Sequence, residues 1–272
     1  MSASPSTAKR ASSLESLFTK LREADRAAFI PFVTAGRPTP AETGEVLDML
    51  AETGADLIEL GVPFSDPLAD GPTIQAASFR AIRDGIGLPE TLRILEAFRA
   101  RHPTPVVLFS YLNPVLRYGV EPFLRDAAEA GAGGVLLTDL PTGADPELES
   151  AFASSPLDLI RLVAPTTPPE RVREIASSAR GFLYYVSRTG VTGEQAALAE
   201  GLEREVAAIR AETTVPVAVG FGISTADQAG VVGRVADGVV VGSAIVDRLE
   251  REGVAGTAAF VEELARAVHR AR

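Results

Sequence analysis

Short runs of β-branched and other apolar residues recur along this chain, separated by longer stretches whose apolar positions fall three and four apart. The short runs predict eight strands, at residues 29–33, 56–61, 105–109, 133–138, 158–162, 182–186, 215–219 and 238–241. The longer period predicts helices at 12–23, 39–53, 88–101, 121–130, 145–154, 168–178, 202–212, 225–230 and 257–270. A further helix is expected from Ile74 and Gln75, with Thr73 as its N-cap. Several starts carry good signals: Pro38, Thr39 and Pro40 before one helix, Thr167 to Glu170 before another, Ser224 and Thr225 before a third.

Strands alternating with helices predict an α/β chain with a parallel sheet. An open doubly wound sheet is one solution and a closed (β/α)8 TIM barrel the other. The count of eight favours closure, and so does length: a barrel of ~250 residues uses nearly all of the 272 present. The helix at 12–23 is then an extra N-terminal one. No composition shift marks a second domain, so residues 14–272 are expected to form a single barrel behind a flexible polar tail at 1–13.

Most connections should be short, but 62–72 follows the second strand and 187–201 the sixth. Both belong to the C-terminal face of a barrel, where such folds build active sites.

Charge and composition narrow the chemistry. The chain carries 36 acids against 26 bases, a formal charge of −10, which argues against a nucleic-acid binder. An anionic substrate would need local capture by backbone N–H groups and helix N-termini. No apolar run approaches the ~20 residues of a membrane span, and residues 1–13 lack the apolar core of a secretory signal. With no cysteine, disulfides, thiolate metal sites and a cysteine nucleophile are excluded together, and a cytosolic setting is expected. Of the two histidines, His102 precedes the third strand and His269 lies in the last helix. Both read as ordinary surface residues away from the working face, which leaves acid–base work to carboxylates.

Two carboxylates stand out. Glu59 sits near the end of an apolar strand, where burial should raise its pKa toward the range useful for proton transfer. It is either catalytic or the strand-end partner of an arginine on a neighbouring helix. Asp70 lies in the turn-rich stretch after it and, like Asp66, is equally readable as a turn or cap residue. The company of Glu59 favours Asp70: an acid in an apolar wall beside one in a wetter loop separates two protonation roles.

Glycine-bearing loops follow the sixth, seventh and eighth strands: SRTGVTG at 187–193, GFGIS at 220–224 and GSAIV at 242–246. Together they suggest a backbone cradle for phosphate. Phe32, Phe109, Leu136, Leu162, Tyr184 and Phe221, near strand ends, could line an apolar slot or simply fill the barrel. Phe32 and Phe221 stand where strand gives way to loop.

The stretch ELGVPFSDPLADGPTIQ at 59–75 resembles the signature of the tryptophan synthase α-subunit family. PFVTAG at 31–36, NPVLRYG at 113–119, DLP at 139–141 and the three glycine loops match it in order. The resemblance spans roughly residues 14–270. It implies a lyase of L-tryptophan biosynthesis that cleaves indole-3-glycerol phosphate to indole and glyceraldehyde 3-phosphate by a retro-aldol reaction, without metal or cofactor in this chain. On the matching positions, Glu59 would be the principal acid–base and Asp70 would bind the indole N–H. Thr192 would close over the site and position Asp70. Gly193, Gly222, Gly242 and Ser243 would hold the phosphate, and Phe32, Tyr184 and Phe221 would face the substrate. The resemblance further implies a pyridoxal-phosphate β subunit as partner in an α2β2 heterotetramer, with Asp66, Pro67 and a loop at 113–119 facing it. Position 109 is Phe where the family leads one to expect Leu, so the indole end of the pocket should be shaped differently. A stand-alone lyase releasing free indole would use the same residues. A non-catalytic regulatory subunit would not need both acids.

Overall fold

The computed structural model describes residues 13–187, 195–220 and 222–272, of which 195–200 by backbone alone. Eight strands form a closed, all-parallel barrel in sequence order: β1 (Ala28–Thr34), β2 (Ile58–Gly61), β3 (Val106–Ser110), β4 (Gly134–Leu137), β5 (Asp158–Val163), β6 (Leu183–Val186), β7 (Val217–Gly220) and β8 (Gly238–Val241). Closure is made by β8 beside β1, where Ala28 to Pro31 run in register with Gly238 to Val241. Around it lie α1 (Ser13–Glu23), α2 (Thr43–Glu52), α3 (Pro72–Arg83), α4 (Leu88–Arg99), α5 (Leu112–Tyr118), α6 (Val120–Glu129), α7 (Pro146–Ser154), α8 (Pro169–Ser178), α9 (Gln195–Glu212), α10 (Ala226–Val235) and α11 (Ser243–His269). This is the expected (β/α)8 TIM barrel with an additional N-terminal helix.

Alternation along each strand splits the apolar residues into two layers. Outward side chains such as Phe29, Val33, Leu60 and Leu108 pack beneath the helices. Inward ones such as Ile30, Leu57, Val107, Leu136 and Ile160 fill the barrel together with Leu14, Phe18 and Leu21 of α1. The Phe18 ring meets Phe182 at 5.5 Å between centroids. Burying those three α1 side chains contributes roughly 1.5–3 kcal/mol apiece and plugs the barrel at its N-terminal end. The C-terminal end is therefore the one left to bind something. No helix among the described residues is long and apolar enough to cross a membrane.

Both histidines lie toward the plugged end, yet neither is a bare surface residue. His269 Nε2 sits 2.8 Å from Asp56 Oδ2, and that carboxylate also accepts the Phe29 N–H at 2.9 Å. His102 stacks on Phe98 and lies 3.1 Å from Asp48. His102 joins the end of α4 to α2, and His269 anchors the end of α11 beside the entry to β2.

Element boundaries differ from expectation where local chemistry overrides periodicity. Helix α2 begins at Thr43 instead of residue 39, because Pro38 and Pro40 keep the residues before them out of helical geometry. Thr73 is not the cap of α3: Gly71 takes that place and Pro72 supplies the first turn, where its missing N–H costs nothing. Residues 113–119 are not a loop but lie largely within α5, which stops at Gly119 with φ 98°. Helix α9 starts at Gln195, which shortens the second long connection. The stretch Ser243–His269 is two helical segments broken at Gly253, where φ is 68°, in keeping with the helical turn expected after β8 and the separate last helix.

Candidate active site

Glu59 projects from the middle of β2 into the barrel, in register with Phe32 of β1 and Val107 of β3. It is 0% exposed, and neither carboxyl oxygen has a hydrogen-bond partner. The alternative of a strand-end ion pair with a helix arginine is therefore set aside. Loss of solvation disfavours the charged form and pushes the Glu59 pKa up to about 8. A neutral, proton-bearing carboxyl at pH 7 follows.

Asp70 approaches from the loop between β2 and α3. That loop folds on itself, with the Asp70 N–H donating to Pro67 O at 3.0 Å and Gln75 Nε2 donating to Asp70 O at 2.9 Å. The cap of α3 falls to Gly71 without any side-chain bond, so the Asp70 carboxyl is not spent on the helix. Burial raises its pKa to about 6, opposed by the neighbouring Tyr111 hydroxyl. At pH 7 Asp70 is thus ionised while Glu59 is protonated. Burial, then the charges of Glu59 and Asp70, hold the Tyr184 hydroxyl well above the ordinary tyrosine pKa. Both acids accordingly lie within electrostatic reach of Tyr184.

Aromatic rings border that space, and glycines make room for them. The Phe32 and Phe109 rings meet edge-on, 5.2 Å apart at 76°. A Cβ on Gly61 would stand 2.6 Å from Phe32 Cζ, and one on Gly220 would stand 2.2 Å from the Tyr184 hydroxyl oxygen. Phe109, Leu162 and Tyr184 pack on the inner layer while remaining partly exposed, as residues at the mouth of a barrel do. Leu136, in register with Phe109, is wholly buried.

The two helix N-termini at the phosphate-candidate end are not equivalent. Helix α10 is filled by its own capping box: Thr225 Oγ1 accepts from Gln228 N at 3.3 Å, while Gln228 Oε1 accepts from Thr225 N at 3.2 Å. Helix α11 opens at Ser243, with Gly242 at its N-cap and no side-chain cap. Its first amides are the better anion donors. A Cβ at Gly242 would lie 3.4 Å from the Phe32 Cβ, so this terminus adjoins the aromatic wall. Gly222 is exposed, with φ 73°. Thr192, Gly193 and Phe221 lie outside the described residues.

Tyr111 is the site residue that sequence reasoning missed. No local pattern in the sequence marks it, because its partners come from a distant loop. A cavity of about 1010 Å3 opens at the opposite end beside α1. Arg180 and Asp158 on its wall lie 3.8 Å apart and interact with each other, whereas the Glu59 carboxyl has no hydrogen-bond partner.

A family model described as tryptophan synthase alpha chain matches residues 18–271. The tryptophan synthase alpha chain of Geobacter sulfurreducens is 51% identical over 234 residues, which is 86% of this chain and 89% of that one. That of Novosphingobium aromaticivorans is 48% identical over 252 residues, covering 91% and 94%. Among solved structures, subunit alpha from Legionella pneumophila superposes with a TM-score of 0.87 at 34% identity, covering 94% of this chain and 98% of that one. Tryptophan synthase from M. tuberculosis, in an aminoacrylate-bound form, gives 0.86 at 38% identity, covering 95% and 100%. In sequence and in fold alike, the chain belongs to the tryptophan synthase alpha chain family.

Proposed function

We propose that this chain cleaves indole-3-glycerol phosphate to indole and glyceraldehyde 3-phosphate, with Glu59 as general acid and then base and Asp70 as its anionic counterpart. The observation that carries the reading is Glu59 itself: a wholly buried carboxyl without a partner, protonated near neutral pH. An acid so costly to bury is retained where a reaction uses it.

The steps balance within the two carboxyls. Glu59 gives its proton to the indole carbon that bears the glycerol chain, and positive charge spreads to the ring nitrogen. The Asp70 carboxylate accepts a hydrogen bond from the ring N–H and stabilises that cation. Glu59, now ionised, takes the proton from the hydroxyl on the adjacent chain carbon. The bond between that carbon and the ring breaks, its electrons return to the ring, and the aldehyde forms. Glu59 ends as it began. The protonated ring is the electron sink, so this scheme draws on no cofactor in this chain.

Phe32, Tyr184 and Phe221 would hold the indole, while Gly193, Gly222, Gly242 and Ser243 hold the phosphate and Thr192 closes the site over Asp70. The uncapped start of α11 supports the phosphate assignment. The partner would be a β subunit carrying pyridoxal phosphate, in an α2β2 heterotetramer that consumes the indole, within the cytosol. Asp66, Pro67 and α5 would face it. Leu68 and Leu116, 92% and 53% exposed, give that face an apolar character suited to a protein partner. Indole release from indole-3-glycerol phosphate, measured with and without a β subunit, tests this. Turnover that rises on adding β supports it; turnover indifferent to β removes the partnership, and no indole removes the activity.

A further inference from the structure

Tyr111 follows β3 directly and serves as the N-cap residue of α5. Its side chain is held on several sides. Phe64, from the loop after β2, packs against its ring at 5.1 Å between centroids. The Ala69 N–H donates to its hydroxyl at 2.9 Å. The backbone just after it is fixed from the next loop, where Asp139 Oδ1 accepts the Leu112 N–H at 2.6 Å. The tyrosine is 5% exposed. The loops after β2, β3 and β4 thus meet around Tyr111 and Leu112.

The residue after Ala69 is Asp70, whose carboxyl faces the same hydroxyl. A phenol oxygen has one proton to donate. The Ala69 N–H occupies one lone pair of that oxygen and leaves its proton free to reach the Asp70 carboxyl beside it. We propose that Tyr111 is the positioning residue for Asp70, its hydroxyl fixing the backbone at 69–70 and donating to the carboxylate so that Asp70 points into the barrel mouth. The inference rests on the reading of Asp70 given above. A bond donated to the carboxylate favours its ionised form, opposing the burial that otherwise raises the Asp70 pKa.

Tyr111→Phe keeps the ring and its packing and removes only the hydroxyl. The experiment follows indole release across pH for wild type, Tyr111→Phe and Asp70→Asn, with inorganic phosphate binding measured alongside. The expected result for Tyr111→Phe is an acid limb of kcat/KM moved up by roughly one pH unit, and kcat at neutral pH lowered roughly tenfold. Phosphate affinity should be unchanged. An unmoved acid limb with unchanged kcat, and only a lower melting temperature, would overturn the inference by reducing Tyr111 to packing. Should Tyr111→Phe fail to fold, 3-fluorotyrosine incorporated in place of Tyr111 preserves the shape with a stronger donor. The acid limb should then move down, and an unmoved limb would overturn the inference. Retained turnover in Asp70→Asn would overturn the underlying reading as well. Loss of turnover there with no Tyr111 effect would overturn the Tyr111 role alone.

Discussion

Phe32 and Glu59 are register partners on β1 and β2, so the aromatic ring and the carboxyl leave the barrel wall at the same level and on the same side. One supplies the low-polarity surroundings that keep the other protonated. The pKa of about 8 for Glu59 and of about 6 for Asp70 set the first prediction. Because Asp70 must be ionised and Glu59 protonated at the start, kcat/KM should rise through about pH 6 and fall through about pH 8. The two limbs belong to the interacting pair. A profile of indole release from pH 5 to 9.5 reads both, and one flat across pH 7 to 9 would contradict the protonated state of Glu59.

The same carboxyl should cost stability. Folded Glu59 keeps its proton up to about pH 8, against an ordinary value of 4.5. Between those values unfolding releases a proton, so stability falls as pH rises. Glu59→Gln has nothing to titrate there. Its stability relative to wild type should grow with pH above 4.5, by about 3 kcal/mol on reaching pH 7. Urea unfolding of both proteins at several pH values measures the difference. A pH-independent difference would mean that Glu59 is not held neutral.

Gly61 leaves the space that Phe32 occupies, since a Cβ there would stand 2.6 Å from Cζ. Gly61→Ala should drive the ring out of that position and into the substrate space. The expected outcome is a KM raised about tenfold with a stability loss of about 1–3 kcal/mol, the usual cost of overpacking. Steady-state kinetics with a thermal melt separate the two effects.

The exposed side chain of Leu116 on α5 gives a test of the partner face. Leu116→Asp should leave indole release by the isolated chain unchanged and weaken β-subunit binding by at least about tenfold, as for loss of a buried interface anchor. Titration of the activation by β against its concentration reports it.

Most of the barrel is legible from the sequence because strand and helix periods differ and eight apolar runs are well separated. The boundary at 202 misses α9, which begins at Gln195, because the polar and small residues before Leu202 carry little periodicity. Residues 113–119 read as a loop because Pro114 and Gly119 bracket them, yet α5 accommodates Pro114 in its first turn. Glu59 is visible as an acid in an apolar run, but its inward direction needs the register with Phe32. Tyr111 is not visible as a site residue at all. Its role depends on a meeting of loops separated by 42 positions, which no local pattern encodes. Ser224 and Thr225 mark the start of α10 in the sequence, but that α11 is left as the open terminus is seen only in the structure.

The most direct test of the account is steady-state indole release from indole-3-glycerol phosphate by Glu59→Gln beside wild type at neutral pH. The variant keeps the size and neutrality of the side chain and removes the transferable proton. The account predicts turnover lowered by about 100-fold to 10,000-fold with phosphate binding retained. Turnover near that of wild type would contradict the role of Glu59 and, with it, the proposed chemistry of this site.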